Sequence, residues 1–129
     1  MVERAMLSKG EMEVARILWE KAPASVRQIH EALPADRQMD FATVQTYLRR
    51  LESKGYAKSN LDGRIRIYSA RTKALTVIRE TVDDLVNRLF AGETMPLMRH
   101  LIEDRGIDGK GLSELRELLD RLEKEGAKK

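Results

Sequence analysis

The chain has 129 residues, 42% hydrophobic and 35% charged, close to one domain or a small domain with a helical extension. That balance supplies a core under a heavily solvated surface and excludes a disordered chain. No apolar run approaches the roughly 18–20 residues that span a bilayer. The stretch from Met1 to Met6 lacks the apolar run of a signal peptide, so the cytoplasm is the expected location, with no membrane partner. The absence of cysteine excludes disulfides, thiolate metal sites, iron–sulfur clusters and thiol nucleophiles.

Lys and Arg number 24 against 21 Asp and Glu, a net charge of +3. Residues 1–71 carry 13 basic and 9 acidic side chains, whereas residues 72–129 carry 11 and 12. Within 41–71 seven basic residues face two acidic ones, an excess that attracts phosphate backbones by counterion release. A plain solvated basic face is the alternative reading of the charge. Any polyanion site therefore belongs to the first half.

Ser8-Lys9-Gly10-Glu11 has the form of a capping box and predicts a helix to about Lys21, with Met12, Ala15, Leu18 and Trp19 on one face. Pro23 closes that region. Ser25-Val26-Arg27-Gln28 repeats the capping pattern and opens a short helix carrying Val26, Ile29 and Leu33, which ends before Pro34. Ala35 to Met39 reads as a loop. Asp40 is the expected cap of a third helix reaching about Lys54 and stopped by Gly55. Tyr56–Ser59 and Arg64–Tyr68 then flank Asn60-Leu61-Asp62-Gly63, the pattern of a β-hairpin with Ile65 and Ile67 inward and Arg64 and Arg66 outward. Three short helices and a basic hairpin describe a winged helix-turn-helix over residues 1–71.

From Thr72 the pattern is helical. Ile78, Val82, Leu85 and Leu89 recur at spacings of four, three and four, a coiled-coil-like seam broken at Gly92. A shorter helix holds Met95, Met98, Leu101 and Ile102, with Pro96 in its first turn, and ends at Gly106. Leu112, Leu115, Leu119 and Leu122 form a last stripe, followed by a Lys-rich tail after Glu125. Such stripes need a partner chain, so residues 72–129 read as a helical dimerisation domain, its contacts drawn from Ile78, Val82, Leu85, Leu89, Met98, Leu101, Leu112, Leu115, Leu119 and Leu122. The fold class is mainly α with a small hairpin wing.

On a helix at about 100° per residue, Val44, Leu48 and Leu51 cluster on one side of 40–54, flanked by Tyr47 and Phe41. The opposite side carries Ala42, Thr46, Arg49 and Ser53, edged by Thr43, Gln45 and Arg50. Major-groove reading requires this chemistry: Arg bonds guanine bidentately, Gln bonds adenine, and Ala or a Thr methyl touches the thymine methyl. The ordinary alternative is a soluble helix with two arginines. Wing, ridge and caps agree with one another, which favours DNA.

The string from Ala42 to Gly55, ATVQTYLRRLESKG, resembles the recognition-helix motif of the penicillinase-repressor (BlaI/MecI) family. Leu7 to Trp19 resembles that family's first helix, Val26 to Leu33 its second, and Gly63 to Tyr68 its wing. The likeness continues more weakly through Leu89–Gly92 and Leu112–Leu119. The resemblance implies a homodimeric bacterial transcriptional repressor on palindromic double-stranded operator DNA. Base contacts would fall on Ala42, Thr43, Gln45, Thr46 and Arg49, and backbone contacts on Arg50, Lys54, Arg64 and Arg66. Release in the β-lactam-responsive branch is by cleavage at an Asn–Phe bond. Leu97–Ile102 has no such dipeptide, leaving any regulatory protease unknown. The copper-responsive branch uses a cysteine-rich C-terminus, absent here.

Met95, Met98 and His100 are soft ligands close in sequence, but His100 points away from the two methionines on a helix, and Met at that spacing fills cores. His30 reads as an ordinary helix residue. Asp83-Asp84 and Glu103-Asp104 are adjacent, so their side chains diverge instead of sharing a proton. With no hydrolase elbow, Walker loop, dinucleotide fingerprint or zincin motif, no enzyme, metal or cofactor is expected. A protein-interaction module and an activator of the same fold remain the alternatives.

Overall fold

A computed structural model describes residues 5–126. Part of the stretch weighed as a leader, residues 1–4, and most of the Lys-rich tail lie outside the described residues. The chain divides into two compact units, Met1–Val82 and Asp83–Lys129. Val77 of the first unit is buried with its core.

In the first unit α1 (Lys9–Lys21) opens with the expected capping box. The Glu11 backbone N–H donates to Ser8 Oγ at 3.2 Å, and the Ser8 N–H donates to Glu11 Oε1 at 2.9 Å. Its buried stripe is Val14, Ala15, Ile17 and Leu18, turned from the predicted one; Met12 is exposed and Trp19 only half-buried. β1 (Ala24–Ser25) and α2 (Val26–Glu31) follow, the latter with its own Ser25–Gln28 capping box. The predicted loop contains one 3-10 turn, Ala35–Arg37. Then come α3 (Phe41–Ser53), β2 (Ala57–Asp62), β3 (Ile65–Ala70) and α4 (Ala74–Leu89).

The sheet order is β1-β3-β2, antiparallel throughout. β1 was not foreseen: two residues carry no periodicity, and only pairing of Ala24 with Tyr68 and Ser25 with Ile67 makes them a strand. The hairpin turn is also tighter than expected. Asn60, Leu61 and Asp62 belong to β2, and the loop is Gly63-Arg64 alone, with Gly63 at φ +68 in a position that favours glycine. Ile65 does not point into a core and is 57% exposed, while Ile67 is half-buried and the buried residue of β3 is Tyr68. The hairpin runs out beyond the helices, so alternation near its tip no longer decides burial.

The core joins Val14, Ile17 and Leu18 of α1 with Ile29 of α2, Val44, Leu48 and Leu51 of α3, and Tyr68. Among these apolar side chains lies one buried charge, Glu11, 2% exposed. Lys54, at the C-cap of α3, donates from Nζ to Glu11 Oε1 at 2.6 Å and to the Met6 carbonyl at 3.0 Å. The Tyr56 hydroxyl donates to the Ala5 carbonyl at 2.7 Å, so the end of α3 holds the segment leading into α1.

The second unit contains the rest of α4, α5 (Thr94–His100) with a π-helical continuation (Leu101–Arg105), and α6 (Gly109–Lys124). Asp108 caps α6 by accepting from the Gly111 N–H at 2.7 Å. Ala91 and Gly92 at positive φ end α4 where a break was expected.

Burial pushes the Glu11 carboxyl up, but the Lys54 hydrogen bond and charge and the Ser8 bonds outweigh it, and its pKa lies below the ordinary 4.5. A depressed carboxylate contributes stability that is complete above the unfolded pKa and lost as pH falls through the folded one. Glu11→Gln is therefore expected to cost about 2–3 kcal/mol near neutrality, since it strands a partly buried ammonium. Denaturant midpoints of the two proteins should converge below about pH 4.5; a constant gap down to acid pH would remove the charge from the account.

Candidate nucleic-acid interface

α3 presents the two faces expected of it. Val44, Leu48 and Leu51 are buried, whereas Ala42, Thr46, Arg49, Arg50 and Ser53 are exposed and Thr43 and Gln45 are half-exposed. Asp40 occupies the N-cap position, but its side chain makes no capping bond, against expectation. His30 on α2 supplies the hold instead. Its Nε2–H donates to the Met39 carbonyl at 2.9 Å, and its ring meets Phe41 edge-on with centroids 5.9 Å apart. A carbonyl can only accept, so Nε2 carries the proton. His30 is neither ligand nor base in this bond, and no local pattern signals it, because it depends on the bend between α2 and α3.

Tyr47 fixes the side of α3 nearest α1. A Cβ added to Gly10 would lie 2.6 Å from the Tyr47 ring, so glycine inside α1 makes room for it. Arg50 stacks over the same ring at 5.8 Å, which leaves its guanidinium exposed but oriented.

The wing adjoins the C-terminal part of α3 through one relay. Arg66 Nη1 donates to Ser59 Oγ at 2.9 Å, and Ser59 Oγ–H donates to the Glu52 carboxylate at 2.9–3.0 Å. Arg66 shares the Tyr68 face of the sheet and remains exposed. Burial and the Glu52 charge push the Tyr68 phenol up, against the opposing charges of Arg66 and Arg49. Arg64 stands free at the hairpin tip.

Lys54 is placed differently from the other predicted residues. Its side chain is 27% exposed, and its ammonium is committed to Glu11 and the Met6 carbonyl. The structure gives it a structural partner where the sequence pattern offered a phosphate. Nothing in the local sequence links positions 11 and 54.

In the second unit none of the described residues is buried. Leu85, Leu89, Leu101, Leu112, Leu119 and Leu122 from the predicted stripes are exposed, with Met98 and Leu115 half-buried. Ile102, Ile107 and Leu118 are exposed too and were not among the predicted contacts. His100 Nδ1 lies 2.7 Å from Asp104 Oδ2.

The match to known proteins is extensive. Residues 7–121 fit the family model of the penicillinase repressor. The chain belongs to the penicillinase repressor family. Its members are transcriptional regulators with a DNA-binding domain, not enzymes. The transcriptional regulator BlaI of Mycobacterium tuberculosis (strain CDC 1551 / Oshkosh) is 32% identical over 110 residues, covering 84% of this chain and 80% of that protein. The penicillinase repressor of Staphylococcus aureus is 25% identical over 118 residues, covering 92% and 94%. The solution structure of the DNA-binding domain of the repressor BlaI has a TM-score of 0.50 at 24% identity, covering 57% of this chain and 90% of that one. A ZitR mutant from Lactococcus lactis reaches 0.50 at 17% identity, covering 97% and 79%. These likenesses show a winged helix-turn-helix fold. No helix among the described residues is long and apolar enough to cross a membrane.

The Gly10–Tyr47 contact makes a two-step prediction for this penicillinase repressor homologue. Glycine to alanine inside a helix ordinarily gains about 1 kcal/mol. Gly10→Ala should yield no gain in thermal unfolding, because the new methyl displaces the Tyr47 ring. The same change in a Tyr47→Ala background should recover a gain of about 0.5–1 kcal/mol. An equal effect in both backgrounds would mean that the contact is loose.

Proposed function

We propose that the chain is a homodimeric repressor that occupies a palindromic operator, with α3 in the major groove and the hairpin wing on the backbone. One observation carries the reading: an exposed ridge with no acid, Ala42, Thr46 and Arg49 edged by Thr43 and Gln45, standing opposite the buried Val44, Leu48 and Leu51. Ridges of this composition match base edges in the major groove. Arg50, Arg64 and Arg66 supply positioning contacts to phosphate, which carry salt-dependent affinity but little sequence information. Lys54 is left out of that set, because its ammonium already has two partners.

The dimer reading is supported by the second unit. Residues 83–126 expose leucine stripes and bury no side chain, and a unit in that state has no core of its own to stabilise it. A second copy supplies a matching stripe by two-fold symmetry. The two α3 helices then meet half-sites about one helical turn apart or a little more. Repression follows from steric occupation of promoter DNA in the cytoplasm. An activator differs only in where the operator lies, and transcription from an isolated promoter in vitro separates the two.

Arg49→Ala is expected to cost roughly 1–3 kcal/mol on the preferred duplex and to relax sequence choice. Arg64→Ala should weaken all duplexes alike and lower the salt slope by about one. Lys54→Gln should leave that slope unchanged. Equal losses on selected and random duplexes for Arg49→Ala would remove α3 from base reading.

Sedimentation at micromolar concentration should give a dimer for the native chain and a monomer for Leu119→Glu. A native monomer would sink the symmetric operator.

A further inference from the structure

Within the first unit, α1 and the opening turns of α4 enclose a groove of about 590 Å3 to which no α3 residue contributes. Its walls are apolar: Met12 and Trp19 on one side, Val77, Ile78 and Val82 on the other. Trp19 is the chain's only tryptophan, and its Nε1–H is taken by the Thr72 carbonyl at 3.1 Å. The pinned indole therefore offers the groove ring surface and no donor.

Size and charge narrow the occupant. Small-molecule pockets occupy about 300–1,000 Å3. Three turns of an α-helix about 10 Å across need roughly twice the space found here. At the mouth, Glu13 and Arg37 are paired at 3.2 Å and neutralise one another. Lys9 and Arg16 have no ion-pair partner among the described residues and face only Glu20, leaving a surplus of one positive charge.

We propose that this groove binds a small molecule with a flat apolar body and one carboxylate. The aromatic body lies against Trp19 and the α4 side chains, and the carboxylate meets Arg16 and Lys9. Arg37 gives the site a route to DNA. It ends the turn Ala35–Arg37, three residues before Asp40 at the start of α3, and it bridges that turn to Glu13 in the groove's rim. A carboxylate held on Arg16 and Lys9 repels Glu13, weakens its ion pair with Arg37 and so loosens the seat of the recognition helix. This last step rests on the DNA reading; binding itself does not. Ile78 and Val82 also belong to the exposed seam of α4, so a second copy is the rival occupant.

The experiment uses the 15N-labelled full chain, whose single indole N–H gives one nuclear magnetic resonance signal. Titration with 3-phenylpropionate should move that signal saturably with a Kd near about 1 mM, ordinary for a ligand of this size. Neutral 3-phenylpropanamide should bind about fivefold more weakly, the value of one exposed ion pair. The Lys9→Gln, Arg16→Gln pair should lower the acid to the amide's affinity and leave the amide unchanged. No saturable shift, or equal binding of acid and amide, would overturn the proposal. So would an indole signal that moves on diluting the protein but ignores the probes, since a second copy then fills the groove. In gel shifts the acid should weaken duplex binding by the native chain and not by Arg37→Gln, with the indole response kept in both. An indole response with no duplex binding by either protein would defeat the DNA reading while leaving the ligand site standing.

Discussion

Glu11 is the one buried charged side chain among the described residues, and the relation of α1 to α3 turns on it. Apolar packing between two helices is non-directional, so Val14 and Leu18 against Leu48 and Leu51 would tolerate a modest slide or rotation. A carboxylate removed from water does not tolerate it, because any shift that lengthens its bonds exposes the full cost of burying the charge. The same carboxylate closes the capping box of α1 and receives the ammonium at the end of α3. That ammonium also sits at the negative pole of the α3 dipole. One helix start and one helix end are thus locked to a single atom group. The exposed ridge of α3 inherits its orientation from this lock, from Tyr47 seated on Gly10, and from His30 holding the Met39 carbonyl.

What could be read from the sequence was local. Ser8 with Glu11 and Ser25 with Gln28 are capping boxes because each pair is three residues apart, and the structure forms both. The faces of α3 follow from helical period alone. The features that escaped all depend on residues far apart in the chain. Ala24 and Ser25 become a strand only when β3 arrives, and Ile65 loses its expected burial because it stands at the exposed hairpin tip. The ion pair of Lys54 joins it to Glu11, 43 residues away, and no local pattern signals it. In α1, Val14 and Ile17 outcompete Met12 and Trp19 for the core, which leaves the latter two to line a groove.

The second unit shows a different limit. Its leucine stripes were legible, yet a repeat says only that a face is apolar, and the structure adds Ile102, Ile107 and Leu118 to that face. With no buried side chain among residues 83–126, the proposed dimer would make the stability of this half depend on association and hence on concentration. In that proposed dimer, linking two modest half-site readers would raise affinity through effective concentration without any new contact to DNA. Dimerisation and operator binding would then be two stages of one equilibrium.

On the proposed reading, affinity and sequence choice are coupled within each subunit as well. Glu52 is the only acid on α3, the helix proposed to approach a polyanion. Ser59 masks it by donating to the carboxylate, and Arg66 in turn donates to Ser59. On the proposed reading, a phosphate that recruits Arg66 would draw the guanidinium from Ser59 but leave the serine hydroxyl on Glu52, so the acid would stay covered. The wing is not a separate basic arm beside α3. The proposed grip of Arg66 on the backbone and the shielding of Glu52 would pass through the same hydroxyl, so a change at Ser59 would alter both together.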